Sequence, residues 1–324
     1  MRLWPGQDER SCCSPGSLQR AVASARHLGV EHRVLDQSED FDRGVVEPFV
    51  AGYLAGETPN PCVRCNPRRL AGLVRLADEL GLDKVATGHY ARLVWRAGEP
   101  FVTRGRDRDK DQSYMLACVP AETLARLEFP LGAWHKAEVR ALASQACLAV
   151  ADEPESQEVC FAPRGYHAFL QGRGVAPREG DVITREGTVV GRHAGQWRFT
   201  IGQRRGLGLV APEPLYVLER RAATNEVVVG PRSDLAAAAV ELREVSDRCL
   251  GEGGDLAVQL RYKAEAVAVR RLRRLAGDRA LVDLERPFLG VAPGQAAVFY
   301  RDDVVVGTGV IVGPLGGPGA PESV

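Results

Sequence analysis

The sequence predicts an α/β domain at the N-terminal end, a small central domain and a C-terminal antiparallel β-barrel. Three observations carry this. Helical and strand-like periods alternate through roughly the first 150 residues, as in a parallel sheet covered by helices. From residue 181 onward, short β-branched runs alternate with glycine turns, the pattern of small barrels and sandwiches. The chain has 324 residues, 45% hydrophobic and 26% charged, an ordinary globular composition with room for roughly two or three domains. The expected division is 1–165, 166–210, 211–313 and a disordered tail at 314–324.

The elements follow in order. Residues 17–29 read as a helix: Ser17 caps it, Leu18, Ala21, Val22, Ala25 and Leu28 form one face, and Gly29 ends it. Residues 31–35 read as a short strand, and 42–54 as an amphipathic stretch interrupted at Pro48. Pro59 and Pro61 remove two backbone donors and fix φ, so 56–61 is a rigid loop that presents Cys62. Residues 68–80 return to helical period through Leu70, Leu73, Leu76, Ala77 and Leu80. Residues 84–87 read as a buried strand running into Gly88 and His89. Parallel sheets bind ligands at such strand ends. A helix is expected over 136–147, and strands at 182–184, 188–190, 226–229, 257–260, 280–284, 295–300 and 303–312.

Composition excludes several classes. Lys and Arg number 42 against 42 Asp and Glu, so bulk charge gives no reason to expect DNA or RNA, and a nucleic-acid partner must be held by local patches. No apolar run approaches the length of a membrane span. The first ten residues lack the apolar core of a secretory signal, so the cytoplasm is the expected location and no membrane partner is expected. Eight cysteines in such a chain point to thiol or metal chemistry before disulfides.

Cys62-Val63-Arg64-Cys65 is the first chemical candidate. It lacks the second pair that a closed zinc site needs. A thioredoxin-like dithiol and a reactive single thiol both stay open. Cys65 lies near the expected helix start, and Arg64, Arg68 and Arg69 are close in sequence, conditions that favour a thiolate. A solvated helix face accounts for the arginines equally well. Cys160, in Ser156-Gln157-Glu158-Val159-Cys160-Phe161, reads locally as core filler or as a second thiol. Lys110-Asp111-Gln112-Ser113-Tyr114 suits either a helix cap or ligand contacts. Gly202–Gly208, with Arg204 and Arg205 between glycines, reads as a flexible basic loop suited to phosphate. Arg261, Tyr262 and Lys263 with Arg270, Arg271, Arg273 and Arg274 form a second basic region, or else solvated strand faces.

Taken in order, these segments resemble the tRNA-specific 2-thiouridylases, the tRNA-uridine 2-sulfurtransferases. The likeness runs through Gly56–Asn66, Ala86–Arg92, Lys110–Tyr114, Phe129-Pro130-Leu131-Gly132, Ser156–Phe161, Gly202–Gly208 and Pro293–Tyr300, almost the whole chain to about residue 312. The resemblance implies an adenine nucleotide alpha hydrolase-like first domain, and ATP with Mg2+ used to activate the wobble uridine of tRNA. It implies Cys160 as the persulfide carrier, Cys65 as the nucleophile and a Cys65–Cys160 disulfide after turnover. Gly88 and Met1 would meet the nucleotide. His89, Lys110, Asp111, Gln112, Arg261, Tyr262 and Gln295 would meet tRNA. A persulfide-bearing sulfur carrier or a cysteine desulfurase would be the partner. Some members carry aspartate at the position of Cys62. Three thiols, at 62, 65 and 160, give an alternative expectation of an iron–sulfur cluster with one open iron. No other resident metal is expected.

One departure stands out. The family begins with a strand and a Ser-Gly-Gly-x-Asp-Ser loop that cradles phosphates. The chain shows no such loop, and Met1 falls where the family's second strand ends. About thirty residues are expected to be missing upstream, so the first domain is expected to be N-terminally truncated. A misplaced start is favoured over a short chain because every later motif is present. The alternative is a tRNA-binding protein without ATP chemistry. A dithiol oxidoreductase built on Cys62 and Cys65 would leave the Gly202–Gly208 loop and the last domain unexplained.

Overall fold

The computed structural model describes residues 1–4, 14–151, 159–248 and 255–315. The chain folds as two compact units. One comprises residues 1–48 and 61–175, the other residues 49–60 and 176–324.

The first unit opens with a parallel bridge between Arg2 and Asp36, in which Arg2 N–H donates to Leu35 O and Gln37 N–H to Arg2 O. Residues 31–35 therefore do not form the expected strand. Only the end of this segment finds a partner, through the bridge at Asp36. Helix α1 is Pro15–His27, and Ser14, not Ser17, caps it by accepting from Ser17 N–H. Helix α2 (Ser38–Phe41) runs through a π-turn at Asp42–Val46 into α3 (Glu47–Leu54). Pro48 lies just after the π-turn, and the helical run of residues 38–54 passes through it without interruption.

Helix α4 is Pro61–Glu79, seven residues longer at its start than the leucine period suggested. Pro61 fixes φ at the first helical position. Pro67 lies inside the helix without ending it, and Val63, Leu70 and Ala77 are buried. β1 (Val85–Ala86) pairs in parallel with β4 (Leu127–Glu128). Between them lie the hairpin β2 (Ala91–Arg96) and β3 (Glu99–Arg104), and the one-turn helices α5 (Ser113–Leu116) and α6 (Ala121–Leu124). The hairpin turns at Ala97 and Gly98, both at positive φ, as a tight two-residue turn requires. α7 (Lys136–Gln145) and α8 (Tyr166–Gly172) complete the unit.

The second unit holds a four-stranded sheet and a barrel. β5 (Gly180–Ile183), β6 (Val189–His193), β7 (Tyr216–Arg221) and β8 (Glu226–Gly230) lie in the order β6-β5-β8-β7. Residues 216–230 share this sheet with 180–193, so the expected boundary at 210 falls inside it. Val182, Phe199, Ile201, Leu207, Val217 and Val227 form its core. β9 (Ala236–Asp247), β10 (Leu256–Gln259), β11 (Val267–Arg274), β12 (Ala280–Leu289), β13 (Ala296–Arg301) and β14 (Val304–Leu315) follow. They run β13-β10-β11-β12-β9-β14, and β13 pairs with β14 to close an antiparallel barrel. Gly313, Pro314 and Leu315 pair with Glu241, Val240 and Ala239, so the chain stays ordered past the expected start of the tail. The rest of the tail lies outside the described residues.

Candidate functional site

The first unit carries the thiols. Cys62 is exposed in the first turn of α4, and Cys65 is half-buried as its fifth residue. A helix presents unbonded N–H groups only over its first turn. The field of the helix start therefore acts on Cys62 more than on Cys65, contrary to the expectation that α4 begins near Cys65. Cys160 is half-buried beside Phe161, which packs at ring distances of 6.1, 5.7 and 4.9 Å from Trp4, Phe41 and Phe169. These rings fix the backbone immediately after Cys160. Ser156, Gln157 and Glu158 lie outside the described residues, as do Cys12, Cys13 and Cys249. Among the described residues no three Cys, His, Asp or Glu side chains converge on a metal. Cys62, Cys65 and Cys160 therefore do not form the triad that an iron–sulfur cluster would need.

The carboxyl end of β1 delivers Thr87, Gly88 and His89. His89 is buried, with Nδ1 2.8 Å from Thr87 Oγ1 and Nε2 2.8 Å from the Arg69 guanidinium. Arg69 also donates to Asn66 Oδ1 at 2.7 Å, and Asn66 Nδ2 to Met115 O at 2.8 Å. The residue next to Cys65 is thus tied to the strand end. Burial first, and then the Arg69 charge, push the His89 pKa down to about 3. Sequence reasoning gave no role to Asn66, and left Arg69 balanced between a site and a solvated face. Nothing in local spacing announces a contact with residue 89.

Lys110, Asp111 and Gln112 follow β3. Buried Asp111 accepts from Gly105 N–H at 2.8 Å, Ser113 Oγ at 2.7 Å and Arg104 Nη1 at 3.2 Å. Gln112 Oε1 accepts from Tyr90 N–H at 2.9 Å, and Gln112 N–H donates to Tyr90 O. These two side chains order the turn that carries Lys110. Met1 is half-buried beside the Arg2–Asp36 bridge.

The second unit carries the remaining expected residues. Gln295 Nε2 donates to Thr58 O, and Arg261 Nη2 to Gly290 O at 2.6 Å. Tyr262 is half-buried, with Lys263 Nζ 5.7 Å from its ring centre. Thr58 N–H donates to Pro293 O at 2.7 Å, and Arg220 donates to Thr58 Oγ1 at 3.0 Å. Arg243 grips Glu57 through two bonds of 2.9 and 3.2 Å. The loop of residues 57–60 is therefore clamped to the barrel unit, and the chain then enters α4 at Pro61. The Gly202–Gly208 segment is pinned rather than flexible: Leu207 is buried, Gly202 N–H donates to Val217 O, and Gln203 bonds Thr200 N–H and Arg205 O. Arg204 and Arg205 remain exposed on it. In the other basic region Arg273 pairs with Asp283 and Arg274 with Asp247, while Arg270 and Arg271 stay exposed at a bulge in β11.

Comparison with known proteins gives matches along nearly the whole chain. A tRNA methyl transferase HUP domain model matches residues 1–164. A tRNA methyl transferase PRC-barrel domain model matches 167–231, and an aminomethyltransferase beta-barrel domain model 238–311. The tRNA-specific 2-thiouridylase MnmA of Geobacter metallireducens is 43% identical over 313 residues, 94% of this chain and 84% of that protein. The enzyme of the same name from Acidithiobacillus ferrooxidans is 41% identical, over 97% of this chain and 90% of its own length. The bifunctional protein NifU/MnmA of Rubrobacter xylanophilus is 47% identical over 96% of this chain, which spans 63% of that longer protein.

Proposed function

Because the chain belongs to the tRNA-specific 2-thiouridylase family, we propose that it is a cytoplasmic tRNA-uridine 2-sulfurtransferase that exchanges the 2-oxygen of the wobble uridine for sulfur. The observation that carries the proposal is that one compact unit holds both half-buried thiols, Cys65 and Cys160, and the strand end at Gly88 and His89.

The residues at that strand end fit a nucleotide. A Cβ at Gly88 would meet only Leu131 Cδ1, at 3.6 Å, an ordinary contact, and its φ is not in the left-handed region. The fold itself does not demand glycine there, whereas a ligand lying against the backbone does. Gly88 and Met1 would hold the adenine nucleotide. ATP with Mg2+ would supply the adenylyl group that makes the 2-oxygen a leaving group.

Cys160 receives a sulfur atom from a persulfide-bearing carrier or a desulfurase. Its terminal sulfur attacks C2 of the uridine and forms the new carbon–sulfur bond as the activated oxygen leaves. The Cys65 thiolate then attacks the Cys160 sulfur, and the sulfur now on the base departs with the electron pair of the broken S–S bond. Thiolated tRNA is released, a Cys65–Cys160 disulfide remains, and a two-electron dithiol reductant reopens it. Splitting the transfer between two thiols replaces one difficult step by two easier ones. His89, Lys110, Arg261, Tyr262 and Gln295, with Asp111 and Gln112 as braces, would steady the tRNA, whose target base must leave its stack.

The test is 2-thiouridine formation, read by mass spectrometry, from unmodified tRNA, MgATP and a cysteine desulfurase with free cysteine, which supplies persulfide sulfur. Cys160→Ser and Cys65→Ser are expected to lower product at least about 100-fold while tRNA affinity stays within about twofold. Full activity in either variant would remove that cysteine from the mechanism. A wild-type chain that binds tRNA but forms no product under these conditions would favour a binding protein without ATP chemistry.

A further inference from the structure

Arg69 lies one helical turn beyond Cys65 on α4 and is half-buried. Its Nη2 serves two acceptors, Asn66 Oδ1 at 2.7 Å and His89 Nε2 at 2.8 Å. Both are neutral. A guanidinium only donates, so His89 Nε2 presents its lone pair and the ring proton sits on Nδ1, toward Thr87 Oγ1. The ring therefore takes no share of the positive charge at neutral pH. The Arg69 Nε–H is buried and meets no acceptor among the described residues.

Among the described residues, the carboxylates of the elements packed around α4 do not answer this charge. Asp42 pairs with Arg173, Glu39 with Arg43, and Asp111 with Arg104. Asp40 and Glu122 are solvent-exposed. The other arginines of the cysteine segment differ from Arg69. Arg64 and Arg68 are both exposed, and Arg68 lies across the α-carbon of Gly44. Arg69 is thus a half-buried cation with a buried, unanswered Nε–H, oriented by two neutral groups and lacking a counter-charge among the described residues. Such an arrangement is costly unless an anion completes it. It reaches His89, the residue after Gly88 at the carboxyl end of the parallel strand β1, where ligands of α/β sheets dock.

We propose that Arg69 is the receptor for a phosphate oxyanion at this strand end, with His89 and Asn66 serving to aim its guanidinium. The inference rests on the reading that this unit handles ATP and tRNA, and it adds a binding residue that the family motifs did not mark. A guanidinium presents a planar fork that suits phosphate oxygens. The phosphate can belong to the nucleotide or to the tRNA backbone, and one pair of measurements separates the two sources.

The full-length chain, Arg69→Gln and Arg69→Lys are compared by titration calorimetry with MgATP. Fluorescence anisotropy then follows unmodified tRNA across a salt series. Thermal melting confirms that each variant is folded. If the nucleotide supplies the phosphate, Arg69→Gln weakens MgATP about tenfold and leaves the salt slope of tRNA binding unchanged. If tRNA supplies it, the slope falls by about one and MgATP affinity is kept. Arg69→Lys, with its charge but not its fork, falls between wild type and Gln in either case. A folded Arg69→Gln that leaves both quantities at wild-type values overturns the assignment and makes Arg69 a structural brace. Should the Gln variant not fold, Arg69→Lys carries the test alone. A loss of about threefold or more in one quantity supports the receptor, and wild-type values in both overturn it. Failure of the wild-type chain to bind either ligand would instead sink the wider reading of the unit.

Discussion

At the scale of single residues, His89 resists protonation because it is buried and, second, because the Arg69 charge sits at its Nε2. Its pKa lies at about 3 in the fold against an ordinary 6.5. Between those values the unfolded chain binds the extra proton and the folded chain does not. The stabilising contribution is therefore complete above pH 6.5 and drains as pH falls toward 3, at up to about 1.4 kcal/mol per pH unit. Urea midpoints at pH 7 and pH 5 should fall for the wild type, and His89→Gln should flatten that dependence. Equal pH dependence in the two proteins would show that His89 is not the group responsible. Cys65, Cys160, Gly88 and His89 could be nominated from the sequence because each sits in a motif whose order along the chain is distinctive. The ligature of Arg69 to residues 66 and 89 could not. It joins two elements that only the tertiary fold brings together.

At the scale of elements, Phe129-Pro130-Leu131-Gly132 acquires a physical reason. These residues form a turn packed on β2, and a Cβ at Gly132 would lie 1.8 Å from the carbonyl oxygen of Ala91. No side chain can yield there, because the obstacle is backbone. Gly132→Ala is expected to cost about 2 kcal/mol or more, read as a shift of the urea midpoint, and an unchanged midpoint would contradict the close approach. The Glu57–Arg243 pair is milder. It is forked but roughly one-third exposed on each side, so Glu57→Gln should lower stability by only about 1 kcal/mol. Strand and helix legibility followed the same logic of burial. β8, β12 and β13 were found because their buried faces are rich in valine, leucine and aromatic residues. β9 and β11 were missed: the first begins with four alanines and the second carries four arginines, since one face of each meets solvent. The start of α4 was missed because Pro67 reads as a breaker, although the helix passes through it.

At the scale of the whole molecule, the order of the chain and the order of the units disagree. Residues 49–60 lie early in the sequence, yet their partners Gln196, Arg220, Arg243, Pro293 and Gln295 all lie beyond residue 190. A fragment of residues 176–315 would leave those groups without their hydrogen-bond partners. It is expected to melt several degrees below the same unit in the full chain, and a synthetic peptide of residues 49–60 should recover part of the difference. A fragment as stable as the intact unit would mean that the clamp contributes nothing. The sequence suggested a division at 165, 210 and 313, because composition changes along the chain are visible there. It could not reveal that a twelve-residue stretch is lent from one end of the chain to a unit built from the other.

That loan has a consequence in time. On the ribosome residues 49–60 emerge long before the barrel that receives them. At about 5–20 residues per second, the interval until β13 and β14 appear is on the order of ten to fifty seconds. Over that interval Glu57 and Thr58 gain Arg220 and Arg243 first and Pro293 and Gln295 only at its end, so the lead-in to the cysteine pair just downstream is not fully anchored until then. A nascent chain of this protein should therefore hold the Cys65 thiol more open to oxidants until translation is nearly finished. Pulse-labelling of Cys65 on stalled ribosomes, with the always exposed Cys62 as the internal reference, would follow that window closing as the last strands are made.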